Sequence, residues 1–150
     1  TVAKILAERT GDIVLSSDEI RRELFPAHRS YSPQETQTVI AETEERTRRS
    51  LEDGQSVILD ALFTKQKPRD WYRNLAKRMD AHFKIILVVA TEESIKERLE
   101  KRSHSGDPSE ATFAYYLDRK KYFEPVHEEH FTIENSGDFQ TTKSKVETVC

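Results

Sequence analysis

The sequence predicts an α/β protein, a parallel sheet covered on both faces by helices in a three-layer α/β/α arrangement. Three observations lead there. Four short stretches, Ile13 to Leu15, Ser56 to Asp60, Phe83 to Ala90 and Phe131 to Ile133, are dominated by consecutive apolar residues instead of alternating ones. Strands buried on both faces read that way. Helical stretches with their own start signals separate these runs, and glycine or proline punctuates most of the boundaries.

Thr1 to about Arg9 reads as a helix with Val2, Ile5 and Leu6 on one face, and Thr10-Gly11 ends it. After the strand at Ile13, Ser16 and Glu19 have the spacing of a capping box, which places Asp18 at the second position of a helix that Pro26 closes. On that helix Asp18, Arg21, Arg22 and Phe25 share one face, while Ile20 and Leu24 lie opposite. Ala27 to Tyr31 is a loop. Ser32-Pro33-Gln34-Glu35 is a second capping box with proline at the first helical position, opening a helix to about Asp53. Ser56 to Asp60 is a strand ending in an acid.

Past Pro68, a helix contains Trp71, Leu75 and Met79. Phe83 to Ala90 is the most hydrophobic strand, and Thr91 caps a helix with Glu92 and Glu93 in its first turn, ending near Arg102. His104 to Pro108 forms a polar hinge before a helix with Phe113, Tyr115, Tyr116 and Tyr122, whose tyrosines are expected in core and rim. The chain closes with a strand at Phe131 to Ile133, a turn at Asn135 to Asp138, and a helix from Thr141.

The totals exclude several classes. A chain of 150 residues suits one domain with a real core. The net charge of −3 disfavours a protein that coats nucleic acid, though a local basic patch is compatible with it. Cys150 is the only cysteine, so neither a disulfide framework nor a cysteine metal site is expected. The longest apolar run, Ile85 to Ala90, is too short to span a membrane, and no signal peptide is visible. A soluble cytoplasmic protein is the expectation; the pattern specifies no assembly state.

Ligands of open parallel sheets bind beyond the carboxyl ends of the strands, where Asp18, Asp60 and the Thr91 turn fall. An ionised Asp18, favoured by the helix N-terminus, is suited to taking a proton from a hydroxyl, and Arg21 to positioning its owner. Asp60 has the look of an acid holding a metal-bound water, although many strands end in aspartate simply to start a turn. Arg98 and Arg102, four residues apart, form a candidate arginine clamp; a solvated helix laced with Glu–Lys pairs is the plainer alternative. Arg69 and Arg73 face either a cleft or solvent. His127-Glu-Glu-His130 is not the zinc pattern His-Glu-x-x-His.

In order, Thr1 to Arg9, Ser16 to Arg22, Tyr31-Ser32-Pro33, Ser56 to Phe63, Arg98 to Arg102 and Gly106-Asp107-Pro108-Ser109 resemble a family. This is the small P-loop kinases with an adenylate-kinase-like core, relatives of polynucleotide kinase, gluconate kinase and zeta toxin. The resemblance implies a single kinase domain over residues 1–150, a lid at about 98–123 and strand order 2-3-1-4-5. It implies that Asp18 is the general base, that Arg21, Arg22 and Arg69 hold the acceptor, and that Asp60 serves magnesium through water. Arg98 and Arg102 would be lid arginines, and Thr1, Asn135 and Ser136 would lie with the nucleotide. ATP and Mg2+ are the implied cofactors.

The departure from the family is the missing Gly-x-x-x-x-Gly-Lys-Ser/Thr: the four glycines are Gly11, Gly54, Gly106 and Gly137. The first strand of the family is missing too. About fifteen residues of strand and phosphate loop are therefore expected upstream of Thr1, about 5 for the strand and 8 for the loop. Without them, the stretch from Thr1 is expected to bind ATP poorly. The leading expectation is an ATP-dependent kinase acting on a hydroxyl of a small-molecule acceptor. A 5′-hydroxyl polynucleotide kinase is an alternative that the acidic balance disfavours, and a non-catalytic nucleotide-sensing module is another.

Overall fold

A computed structural model of the chain describes residues 2–102 and 112–148, with Arg102 as backbone only. The order of elements is α1 (Val2–Thr10), β1 (Ile13–Ser16), α2 (Ser17–Leu24), α3 (Pro33–Glu52), β2 (Val57–Asp60) and α4 (Gln66–Arg78). Then come β3 (Ile86–Val89), α5 (Glu92–Arg102), α6 (Phe113–Lys120), β4 (Phe131–Glu134) and α7 (Phe139–Glu147). The chain divides into two compact units, one over Ala3–Leu62 and one from Phe63 onward.

In the first unit β1 and β2 pair in parallel, in register from Ile13 opposite Val57 to Ser16 opposite Asp60. Leu15, Ile20 and Val39 form its buried centre, with Ile13, Phe25, Val57 and Leu59 packed around them. The long α3 touches α2 and both strands, so one helix sets the position of everything at the strand ends. Val2, Ile5 and Leu6 of α1 are buried, as their spacing predicts, and Gly11, at φ 78°, closes α1 with its N–H on Ala7 O.

In the second unit β3 and β4 pair in parallel, Ile86 opposite Phe131 and Val89 opposite Glu134. Here α7 packs on β4, and α5 touches α6. Both expected neighbour pairs at the ends of the order 2-3-1-4-5 are formed, β1 with β2 and β3 with β4. The α/β class holds. Among the described residues no further strand pairs with either sheet.

Several boundaries differ from expectation. The helix α4 starts at Gln66, with Pro68 inside its first turn, where a missing N–H costs nothing because those N–H groups lack partners anyway. The strand β3 is only four residues long because β4 offers only four to pair with it. Tyr122 lies beyond the end of α6, and α7 begins at Phe139 instead of Thr141, because Asp138 caps it by accepting the Thr141 N–H. Leu24 is exposed while Arg21 is buried: the end of α2 faces solvent, and the arginine turns inward toward an acid on α3.

Candidate active site

The site is built on the ends of β1 and β2. Pairing Ser16 with Asp60 puts the close of both strands at one edge of one sheet, about 4.8 Å apart across the ladder. The chain then turns directly into α2, whose cap is Ser16; its Oγ accepts the Glu19 N–H at 3.5 Å. Asp18 is the second residue of α2, half-buried, among N–H groups that stabilise a carboxylate. Asp60 is exposed at the end of its strand. Thus both carboxylates stand at the same rim, one at the first turn of a helix and one at the close of a strand.

One turn past Asp18, Arg21 is 8% exposed and its Nη1 donates to Glu35 Oε1 at 2.5 Å. Its Nη2 reaches Thr36 Oγ1 at 3.4 Å, and its guanidinium lies 4.6 Å from the centroid of the Tyr31 ring. The other carboxylate oxygen of Glu35 accepts from the Ser30 N–H at 2.6 Å and the Ser30 hydroxyl at 2.7 Å. Burial pushes the Glu35 carboxyl up, but the Ser30 hydroxyl, the Arg21 guanidinium and backbone N–H groups outweigh it and bring the pKa down to about 2. Arg22, next to Arg21, is exposed.

The box at Ser32 closes only on one side. The Ser32 hydroxyl accepts the Glu35 N–H at 3.2 Å, but the Glu35 carboxylate goes to Ser30 and Arg21. Nothing local to Ser32–Glu35 signals this, because the arginine is 14 residues away. Glu35, Ser30 and the left-handed backbone of Tyr31 under the Arg21 guanidinium are therefore what sequence reasoning missed.

The remaining candidates fall in the second unit. Arg69 is 4% exposed and binds backbone carbonyls, Phe63 O at 2.9 Å and Glu124 O and Pro125 O both at 3.0 Å. It fastens the start of α4 to the segment after α6. Glu124 adds to that junction through Lys65 Nζ at 3.1 Å and the Gln66 N–H at 2.7 Å. Arg98 spends both amino groups on the loop after β4, Asn135 O at 2.5 Å and Gly137 O at 2.7 Å. In that loop the Ser136 hydroxyl accepts the Thr91 N–H at 2.8 Å, and Asn135 Oδ1 accepts from Thr142 at 2.8 Å. Asn135, Ser136 and Arg98 thus come together at the close of β3 and β4. Thr1, the 104–108 hinge and the side chain of Arg102 lie outside the described residues.

Tyr115 and Tyr122 are exposed, not core, and they bracket the Arg119 guanidinium at 5.4 and 5.5 Å. An open groove of 530 Å³ along α4 is lined by Gln66, Arg73, Glu124, Pro125, His127 and Glu128; Arg73 thus faces a groove, held there by Asp70 and Glu128. Among the described residues no cluster of three acidic, histidine or cysteine side chains could hold a metal, and no helix is long and apolar enough to cross a membrane.

Solved structures share this architecture. A "putative kinase" from Chloroflexus aurantiacus J-10-fl is 22% identical with a TM-score of 0.74, covering 99% of this chain and 85% of that one. A gluconokinase from Sinorhizobium meliloti 1021 is 14% identical with a TM-score of 0.63, covering 99% and 84%. The tunicamycin resistance protein of Deinococcus radiodurans is 16% identical with a TM-score of 0.58, covering 99% and 88%. No curated protein matches the chain. The family model described as an AAA domain matches residues 1–126, through the Asp18 helix, the Asp60 strand and Arg98. The chain belongs to that AAA domain family, within the P-loop kinase-like group that its sequence resembles.

Proposed function

We propose that this protein is an ATP- and magnesium-dependent kinase that phosphorylates a hydroxyl of a small molecule. One observation carries the reading: the register of β1 on β2 brings Ser16, and with it the Asp18 turn, to the same sheet edge as Asp60. A gluconokinase among the proteins of the same architecture is consistent with it.

In this reading Asp18 takes the proton of the acceptor hydroxyl as that oxygen attacks the γ-phosphorus; the bond to the bridging oxygen breaks, and ADP leaves with the electron pair. The N–H groups of the first turn of α2, where Asp18 stands, interact favourably with a carboxylate. Asp60 suits magnesium, an ion that keeps most of its waters and takes one or two carboxylates beside the nucleotide phosphates. When bound, that ion offsets charge on the phosphates. Arg98 would hold the Asn135–Gly137 loop in shape for the adenine, Arg102 would act from the lid at about 98–123, and Thr1 would lie near the phosphates. Arg22, exposed on α2, would donate hydrogen bonds to further hydroxyls of the acceptor, while Arg69 fastens the start of α4 within its own unit.

The test is Asp18→Ala in the full-length protein, assayed with ATP against sugars, nucleosides, antibiotics and 5′-hydroxyl oligonucleotides. Turnover should drop about 10²–10⁴-fold while nucleotide binding persists. Unchanged turnover removes Asp18 from the role of base. Nucleotide binding with transfer to no acceptor would make the protein a nucleotide-responsive module instead.

A further inference from the structure

Glu35 does more than the first turn of α3 requires. It holds Arg21 from α2 with one carboxylate oxygen and the N–H and hydroxyl of Ser30 with the other, and it is 6% exposed. Its grip on Ser30 fixes the residue that follows. Tyr31 has φ 52°, a left-handed conformation that a bulky side chain adopts only when its surroundings impose it. Ser30 is pinned on one side of it, and on the other Ser32 caps α3, so the strained backbone is held from both ends.

That strain is not offset by burying the ring. Tyr31 is 40% exposed, with the Arg21 guanidinium stacked at 4.6 Å. An exposed aromatic held in a costly backbone conformation on a loop beside a candidate active site is where a ligand surface is found.

Charge narrows the ligand. Arg21 stands one turn after Asp18 and, unpaired, would draw an anionic group toward the reacting hydroxyl. Its charge is instead matched by Glu35 inside the unit. What the loop offers is an aromatic ring backed by a neutralised pair.

We infer that Tyr31, braced by Arg21 and Glu35, is the surface on which the acceptor's ring rests, selecting an uncharged, ring-bearing alcohol (a sugar or a nucleoside) over one with a phosphate near the reacting hydroxyl. The inference rests on the kinase reading and names its acceptor class. Tyr31 touches the acceptor; Arg21 and Glu35 are positioning residues. An aromatic face packs against the C–H face of a sugar ring or the plane of a nucleobase.

The experiment is steady-state kinetics of the full-length protein with hexoses, nucleosides and their monophosphates, together with calorimetric binding of the same compounds. In Tyr31→Ala the KM of the uncharged acceptor rises about tenfold, the scale of one stacked ring, while kcat and the KM for ATP stay put. Tyr31→Phe retains the wild-type KM, since the ring and not its hydroxyl does the holding. Tyr31→Gly relieves the backbone and unfolds no earlier than wild type, so its loss of acceptor affinity has no folding explanation. Glu35→Gln, which removes the negative charge that matches Arg21, raises the KM of the uncharged acceptor and shrinks the preference over the phosphorylated one. A wild-type KM in Tyr31→Ala, or a wild-type preference for phosphorylated acceptors, overturns the inference. If no acceptor is phosphorylated, the kinase reading fails by itself. Calorimetry then decides the ring surface: sugar or nucleoside binding lost in Tyr31→Ala sustains it, and no binding of any ring alcohol rejects it.

Discussion

Glu35 is a carboxylate whose donors outweigh its burial, and its titration is linked to stability. Its folded pKa, about 2, lies below the ordinary value of 4.5. The folded state therefore gains stability from Glu35 above pH 4.5 and loses it as pH falls from there toward 2. Glu128, held down by Gln66 and Arg73, and Glu134, held down by Lys145 and Ser136, also sit at about 2. Their side chains are 20% and 48% exposed, so water screens them more than Glu35, at 5%. Urea midpoints measured from pH 7 to pH 3 should fall through the acidic range, and Glu35→Gln should remove the largest single share of that fall. An unchanged profile in the variant would show the pair to be idle. Legibility in the sequence differs sharply at this scale. The place of Asp18 was readable, because Ser16 and Glu19 sit within one turn of it. The commitment of Arg21 was not, because a helical-wheel argument places it beside Asp18 and says nothing of α3.

At the scale of elements, α2 is only 8 residues long and could not persist alone in water. It stays because Ile20, 2% exposed, packs with Leu15 and Val39 in the buried centre of the unit. Ile20→Ala should therefore cost about 2–5 kcal/mol in urea unfolding, as for other buried large-to-small changes. A cost under about 1 kcal/mol would mean that caps, not packing, hold the turn. The helix α4 shows the reverse case. Pro68 marks a boundary by its sequence alone, yet the helix starts at Gln66, because a first-turn proline has no hydrogen bond to break. Pro68→Ala should accordingly shift stability by no more than about 1 kcal/mol, measured by thermal melting. The strand ends were legible because an apolar run that stops at an acid is a local pattern. The length of β3 was not, since its partner β4 determines how much of the run is paired.

At the scale of the whole molecule, the described residues form two parallel strand pairs, each within its own unit. Val88 and Val89 of β3 are 44% and 38% exposed, an apolar strand of the kind that recruits other chains. For the 150-residue chain expressed alone, Val88→Lys should delay the onset of light scattering on heating; an earlier onset would show that Val88 is needed for folding. The sequence by itself determined the α/β class, the order of the elements and the placing of Asp18 and Asp60 at strand ends. Periodicity, caps and terminating residues are all written within a few positions of where they act. Only the tertiary structure decided how the arginines are used. Arg21 answers Glu35 from 14 residues away, Arg98 answers Asn135 from 37, and Arg69 answers Glu124 from 55. A buried guanidinium goes to whichever acceptors the packed chain brings within about 3 Å, and that choice follows from packing, not from spacing along the chain.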